Sequence, residues 1–136
     1  MKAFKTAVEA RDIEAMTALL AEDVVFRSPV AHKPYPGKAI TASILTEVIE
    51  VFTDFRYVTE IGEEGGRDHA LVFEANVGDR ALTGCDFIHL DDGGLIDDFM
   101  VMVRPLSGAQ ALAAEMGARF DRIVARVTSA TEDSAS

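Results

Sequence analysis

One carboxylate in this sequence sits where carboxylates are costly: Asp86 lies between Cys85 and the pair Phe87-Ile88, in the middle of an apolar run. Desolvation raises the pKa of an acid held among apolar neighbours, which suits a general base or a neutral hydrogen-bond donor. A buried carboxylate that only accepts hydrogen bonds from backbone or a neighbour reads the same way, so both roles stay open at this point. His69 is the second candidate for proton transfer, with a hydrogen-bonded structural histidine as its alternative. Tyr57 can polarise a ligand oxygen or simply edge the core. Tyr35 shares a Pro-bounded loop with His32 and Lys33, where it can reach a ligand. The three histidines are dispersed over a loop and two strands without paired spacing and supply no metal site. The one cysteine, Cys85, can form neither an intrachain disulfide nor a Cys-rich metal centre. No cofactor is expected.

These groups need a scaffold, and the stretch from His69 to Pro105 reads as three antiparallel strands. His69 to Val77 is rich in β-branched and apolar residues, Gly78-Asp79 is a Gly-first two-residue turn, and Arg80 to Leu90 returns. Asp92-Gly93-Gly94 turns again, and Leu95 to Arg104 runs until Pro105 stops it. With a two-residue first turn, Val77 pairs with Arg80, which sets Leu71 opposite Asp86, Phe73 opposite Gly84 and His69 opposite Ile88. With a three-residue second turn, Leu90 pairs with Ile96, which sets Asp86 opposite Met100 and Ile88 opposite Asp98. One face then gathers His69, Leu71, Phe73, Gly84, Asp86, Ile88, Asp98, Met100, Met102 and Arg104. Apolar walls with few polar groups make a small-molecule pocket, and Gly84 opposite Phe73 leaves room in it. Asp86 and His69 are the catalytic candidates. Tyr35, Tyr57, Phe73, Gly84, Asp98, Met100, Met102 and Arg104 are the ligand-binding candidates. The opposite face would carry Val72, Cys85, Phe87, Phe99 and Val101, too apolar to stand in water, and predicts a homodimer.

The rest of the chain frames these strands. Residues 3–21 read as helix broken near Arg11-Asp12, with Asp12 capping the second piece. Asp23 to Arg27 is a short strand, and Ser28 to Gly37, with Pro29, Pro34 and Pro36, is a loop. Ile40, Ile44, Val48, Val51 and Phe52 mark a helix over 38–52 that turns Glu47 and Glu50 outward. Phe55, Tyr57, Thr59 and Ile61 alternate as a strand, so four consecutive strands form a meander. Ser107-x-x-Gln110 has the spacing of a capping box and opens a last helix through Leu112, Met116, Phe120, Ile123 and Val127. Residues 1–127 make one domain, and 128–136 read as a small, polar, disordered tail.

The totals exclude several classes. A chain of 136 residues buries roughly two-thirds of its unfolded surface without staples. A net charge of -10, with 13 scattered basic residues, argues against nucleic acid. The apolar runs fall far short of the roughly 20 residues that span a bilayer, and the opening residues carry charges where a signal peptide needs an apolar core. A cytoplasmic location without membrane or nucleic-acid partners is expected.

In the order and spacing of its short motifs the chain resembles the NTF2-like superfamily, in particular the SnoaL-like branch of polyketide cyclases and ketosteroid isomerase relatives. The residues concerned are Asp23-Val24-Val25-Phe26 followed by Ser28-Pro29-Val30, then Pro36-Gly37-Lys38-Ala39-Ile40, then Gly84-x-Asp86. Asp91-Asp92-Gly93-Gly94-Leu95-Ile96 follows, leading into Val101-Met102-Val103-Arg104-Pro105. The resemblance covers the chain to about residue 106. It implies an α+β cone, in which a curved, mostly antiparallel sheet wraps around N-terminal helices and opens a pocket, here with an extra C-terminal helix. It also implies frequent homodimers through the sheet's outer face. Members include isomerases, cyclases, dehydratases, epoxide hydrolases and pure binding proteins, so the fold does not choose among them. The ketosteroid isomerases place an oxyanion-donating Tyr on the first helix, whereas residues 3–21 here contain none. The epoxide hydrolases use an Asp-Arg-Asp relay, which Asp86, Asp98 and Arg104 imitate in the register above. Two functions follow as expectations. One is a cofactor-free isomerase, cyclase or hydrolase of an apolar carbonyl or cyclic compound, working by Asp-mediated proton transfer. The other is a non-catalytic module that binds a hydrophobic ligand or dimerises.

Overall fold

The computed structural model describes the backbone of residues 1–135 and the side chains of residues 1–129. Two short helices open the chain, α1 (Lys2–Glu9) and α2 (Ile13–Ala18). The break falls at Arg11-Asp12, and the Asp12 carboxylate accepts from the Ala15 N–H at 3.0 Å, the cap expected from its position. Helical spacing in the sequence runs on to residue 21, but the chain leaves the helix after Ala18 and enters β1 (Leu20–Arg27). Leu20 there pairs with Ile96 of a distant strand, a tertiary pairing that overrides local periodicity.

A two-residue strand β2 (Tyr35–Pro36) leads to α3 (Lys38–Val51), followed by the meander β3 (Thr53–Ile61), β4 (Asp68–Val77), β5 (Arg80–Leu90) and β6 (Ile96–Arg104). The six strands form one sheet in the order β2-β1-β6-β5-β4-β3, in which only the β1–β6 pair is parallel. The sheet is curved and unclosed, helices pack on its inner face, and α4 (Leu106–Ala135) follows it: this is the α+β cone. Helix α4 begins one residue before the expected capping position, with the Pro105 carbonyl accepting from Ala109 N–H at 3.0 Å. It continues through 128–135, the segment expected to be a tail, and Ser136 lies outside the described residues. Among the described residues no helix is long and apolar enough to cross a membrane.

The core lies between the helices and the inner sheet face, where Phe4, Met16, Leu20, Val24, Leu71, Ile96 and Phe99 are fully buried. The helix pattern over α3 holds for Ile44, Leu45 and Val51, but Glu47 is 1% exposed rather than outward. Helix α4, whose docking the periodicity of α3 does not show, covers it with three arginines.

Register decides which side chains meet. Along β4–β5 every expected pair forms: Val77 with Arg80, Phe73 with Gly84, Leu71 with Asp86, His69 with Ile88. The second turn also closes as expected, with Leu90 opposite Ile96, and the Asp91 carboxylate accepts from the N–H groups of Gly93 and Leu95, each at 2.9 Å. The strand then bulges. His89 faces Asp98, leaving Asp97 as an extra residue, so Ile88 faces Phe99 and Asp86 faces Val101. This one-residue slip reverses the expected faces of β6. Phe99 and Val101 point inward, while Asp98, Met100, Met102 and Arg104 lie on the outer face.

Candidate functional site

A cavity of about 350 Å³ opens between the helices and the inner sheet face. Its walls come from α1 (Phe4, Val8), α3 (Ile44, Val48, Phe52), the sheet (Phe26, Phe55, Phe73, Phe99, Val101) and α4 (Leu112, Met116). One wall is an aromatic stack in which the Phe55 ring lies 4.9 Å from that of Phe73 and 5.9 Å from that of Phe52, with Tyr57 edge-on to Phe55 at 5.0 Å. Gly84 belongs behind this wall. A Cβ at Gly84 would overlap the Phe73 ring, so the room it leaves is filled by phenylalanine and not by a ligand.

Asp86 projects from β5 into the cavity lining and is 6% exposed. Its hydrogen-bond partner is Tyr57 of β3, whose hydroxyl donates to Asp86 Oδ2 at 3.2 Å. Two strands away from each other in the sheet order, these groups meet because β4 offers Leu71 and Phe73 between them, both on the inner face. Burial pushes the Asp86 carboxyl up to about 7, and the Tyr57 hydrogen bond offsets part of that rise. Burial, reinforced by the neighbouring Asp86 charge, drives the Tyr57 hydroxyl well above its ordinary value and keeps it a donor. The pair can therefore hold or release one proton near neutral pH and offer a hydroxyl beside it.

The other expected site residues are distributed differently. Phe73 and Tyr57 line the cavity as expected. His69 is buried on the inner side of β4 but outside the cavity lining; its Nε2–H donates to the Gly66 carbonyl at 2.7 Å, and its Nδ1 has no partner among the described residues. Tyr35 packs at the sheet edge on β2, also outside the lining. The bulge at Asp97 removes four candidates from the pocket. Asp98 pairs with Arg27 at 3.2 Å on the outer face, Met100 and Met102 stand on the same face, and Arg104 is exposed there. No Asp-Arg-Asp arrangement around Asp86 results. Sequence reading missed Phe52, Phe55, Phe99 and Val101 as lining residues. The available signal was Asp97-Asp98, two consecutive acids that interrupt a period of two and mark a bulge.

Two non-glycine residues adopt left-handed backbone at the cavity, Arg11 (φ 56°) and Asp54 (φ 51°). Arg11 Nη2 donates to the Ile49 carbonyl at 2.6 Å, which ties the α1–α2 turn to the end of α3. Among the described residues no group of three or more His, Cys, Asp or Glu side chains is placed to hold a metal ion.

The description of a SnoaL-like domain matches residues 1–99, from α1 through the Asp97 bulge to Phe99. The chain belongs to the SnoaL-like family. A steroid delta-isomerase from Pseudomonas aeruginosa is 48% identical, the match covers 88% of each chain, and the structures superpose with a TM-score of 0.82. An uncharacterized protein with a cystatin-like fold from Silicibacter pomeroyi DSS-3 is 41% identical over 87% of this chain and 82% of its own, also with a TM-score of 0.82. A putative ketosteroid isomerase from Kribbella flavida is 20% identical over 76% of this chain and 74% of its own, with a TM-score of 0.62, a likeness of fold. No curated protein matches this SnoaL-like chain. Together these comparisons place the chain on the NTF2-like fold.

Proposed function

We propose that this SnoaL-like protein is a cofactor-free isomerase, cyclase or hydrolase of an apolar carbonyl or cyclic compound. Asp86 moves the proton, and Tyr57 donates a hydrogen bond to the substrate oxygen or to Asp86 as the charge shifts between them. The observation that carries the reading is a carboxyl with a pKa near 7, at the wall of an apolar cavity, with one hydroxyl as its partner. Isomerisation is the first reaction to test, because a steroid delta-isomerase is 48% identical. It needs a proton removed from one carbon and returned to another, without a net reactant. A cytoplasmic location is part of the same reading.

The assay is conversion of β,γ-unsaturated ketones, a 3-oxo-Δ5 steroid and smaller cyclic non-conjugated ketones among them, to the conjugated enones. We expect Asp86→Asn to lower kcat by roughly 10²–10⁴-fold, the range typical of a lost proton-transfer group. A folded Asp86→Asn protein with full turnover would overturn the reading. Ligand binding without turnover by the parent chain would instead leave a non-catalytic binding module, which the absence of any Tyr from residues 3–21 favours.

The outer sheet face is proposed to pair with a second copy of the chain. Val72, Cys85, Phe87, Met100 and Met102 form it, with Phe87 and Met102 well exposed. Phe99 and Val101, expected on this face, are replaced in it by the two methionines.

A further inference from the structure

We propose that α4 gauges the ligand, with Met116 as the specificity-determining residue and Glu47 as the positioning residue that holds it in place. The inference rests on the reading of the apolar cavity as a ligand site. Met116 lines the cavity yet is itself only half-buried, so its side chain is part of the wall between the cavity and solvent. A thioether on three rotatable bonds adapts its shape more readily than a branched or aromatic side chain. Leu112, one turn earlier, is 3% exposed and closes the wall beside it.

What fixes this wall is a charge cluster that the proton chemistry does not use. Arg119, one turn after Met116, donates to Glu47 Oε1 at 3.1 Å and to Glu50 Oε2 at 2.8 Å. Arg122 donates to Glu47 Oε1 at 3.1 Å, and Arg126 to Glu47 Oε2 at 2.6 Å and to Ser43 Oγ at 2.9 Å. Glu47 stands on α3 between residues that line the cavity, Ile44 and Leu45 before it and Val48 and Ile49 after it. A single buried carboxylate thus ties together two helices that each supply a wall. A buried charge set is a poor source of stability and a good device for fixing register, since its partners fit in one arrangement. The arrangement it fixes here is the position of Met116 along α3. Helix α4 also begins after the last residue that the SnoaL-like domain matches, so the gauge lies outside the matched region.

The test is calorimetric binding of straight-chain 2-alkanones of increasing length to the full chain and two variants. Each methylene that finds apolar contact adds about fourfold to affinity, so affinity climbs with length until the ligand meets the α4 wall. Met116→Ala should move the length of best binding up by about two carbons, and Met116→Phe should move it down. Glu47→Gln, shown to be folded by circular dichroism, should flatten the dependence on length, because α4 no longer holds one position. An unchanged length profile in both Met116 variants would overturn the gauge, and an unchanged profile in Glu47→Gln would overturn the positioning role. No alkanone binding to the parent chain would instead count against the cavity as a ligand site and would remove the basis of the inference.

Discussion

Asp86 takes up its proton at about pH 7 in the folded chain, whereas an unfolded aspartate does so near pH 3.9. Between those values the folded state binds more protons, so stability falls as pH rises through this window and levels off above it. Replacing the carboxyl by an amide removes that slope. Asp86→Asn should hold a level unfolding free energy from about pH 4 to 7 while the parent declines, and at pH 8 it should be the more stable by on the order of a few kcal/mol. Urea melts across that range decide the matter, and a variant that declines in parallel with the parent would refute it. A site that spends stability in this way is the pattern expected where a carboxyl must stay partly protonated at neutral pH.

At the scale of elements, two predictions separate what the strands hold from what they merely contain. A methyl at Gly84 meets the Phe73 ring, which is locked between Phe52 and Phe55. Gly84→Ala should therefore cost about 1–3 kcal/mol and tilt the aromatic wall into the cavity, visible as a lower Tm and weaker ligand binding. The bulge is pinned by His89, whose Nδ1–H donates to Asp97 Oδ1 at 2.6 Å. That hydrogen bond raises the His89 pKa above its ordinary value, so its contribution is present below about pH 6.5 and is lost as pH climbs through the raised value. Asp97→Asn should accordingly melt below the parent at pH 6 and match it at pH 9; equal deficits at both would show that the pair carries no charge effect. These two strands also show what can be read from residue order. The β4–β5 register was legible because Gly78-Asp79 is a two-residue turn and nothing interrupts the alternation after it. The β6 register was not, because Met100 and Met102 are as apolar as Phe99 and Val101, so hydrophobicity alone favours neither face. The Leu90–Ile96 pair forms as the turn predicts, and the faces reverse one residue later.

For the whole molecule, the elements, the four-strand meander and Asp86's inward direction follow from turns and periodicity. The three-arginine cover on Glu47 and the Tyr57–Asp86 bond depend on contacts between residues 79 and 29 positions apart at the longest, which no local pattern encodes. The outer face makes a molecule-scale prediction. Light scattering at micromolar concentration should give twice the mass of the 14.7 kDa chain, and Met102→Glu with Phe87→Glu should return it to that mass. A monomer in the parent would end the dimer proposal.

The chain has no tryptophan and two tyrosines, Tyr35 and Tyr57. One of the two donates its hydroxyl to Asp86. An excited tyrosine is a far stronger acid than a ground-state one, and a carboxylate in hydrogen-bond contact quenches its emission where a carboxylic acid does so much less. The intrinsic fluorescence of this protein is therefore a built-in optical titration of its central carboxyl, readable without label, ligand or substrate.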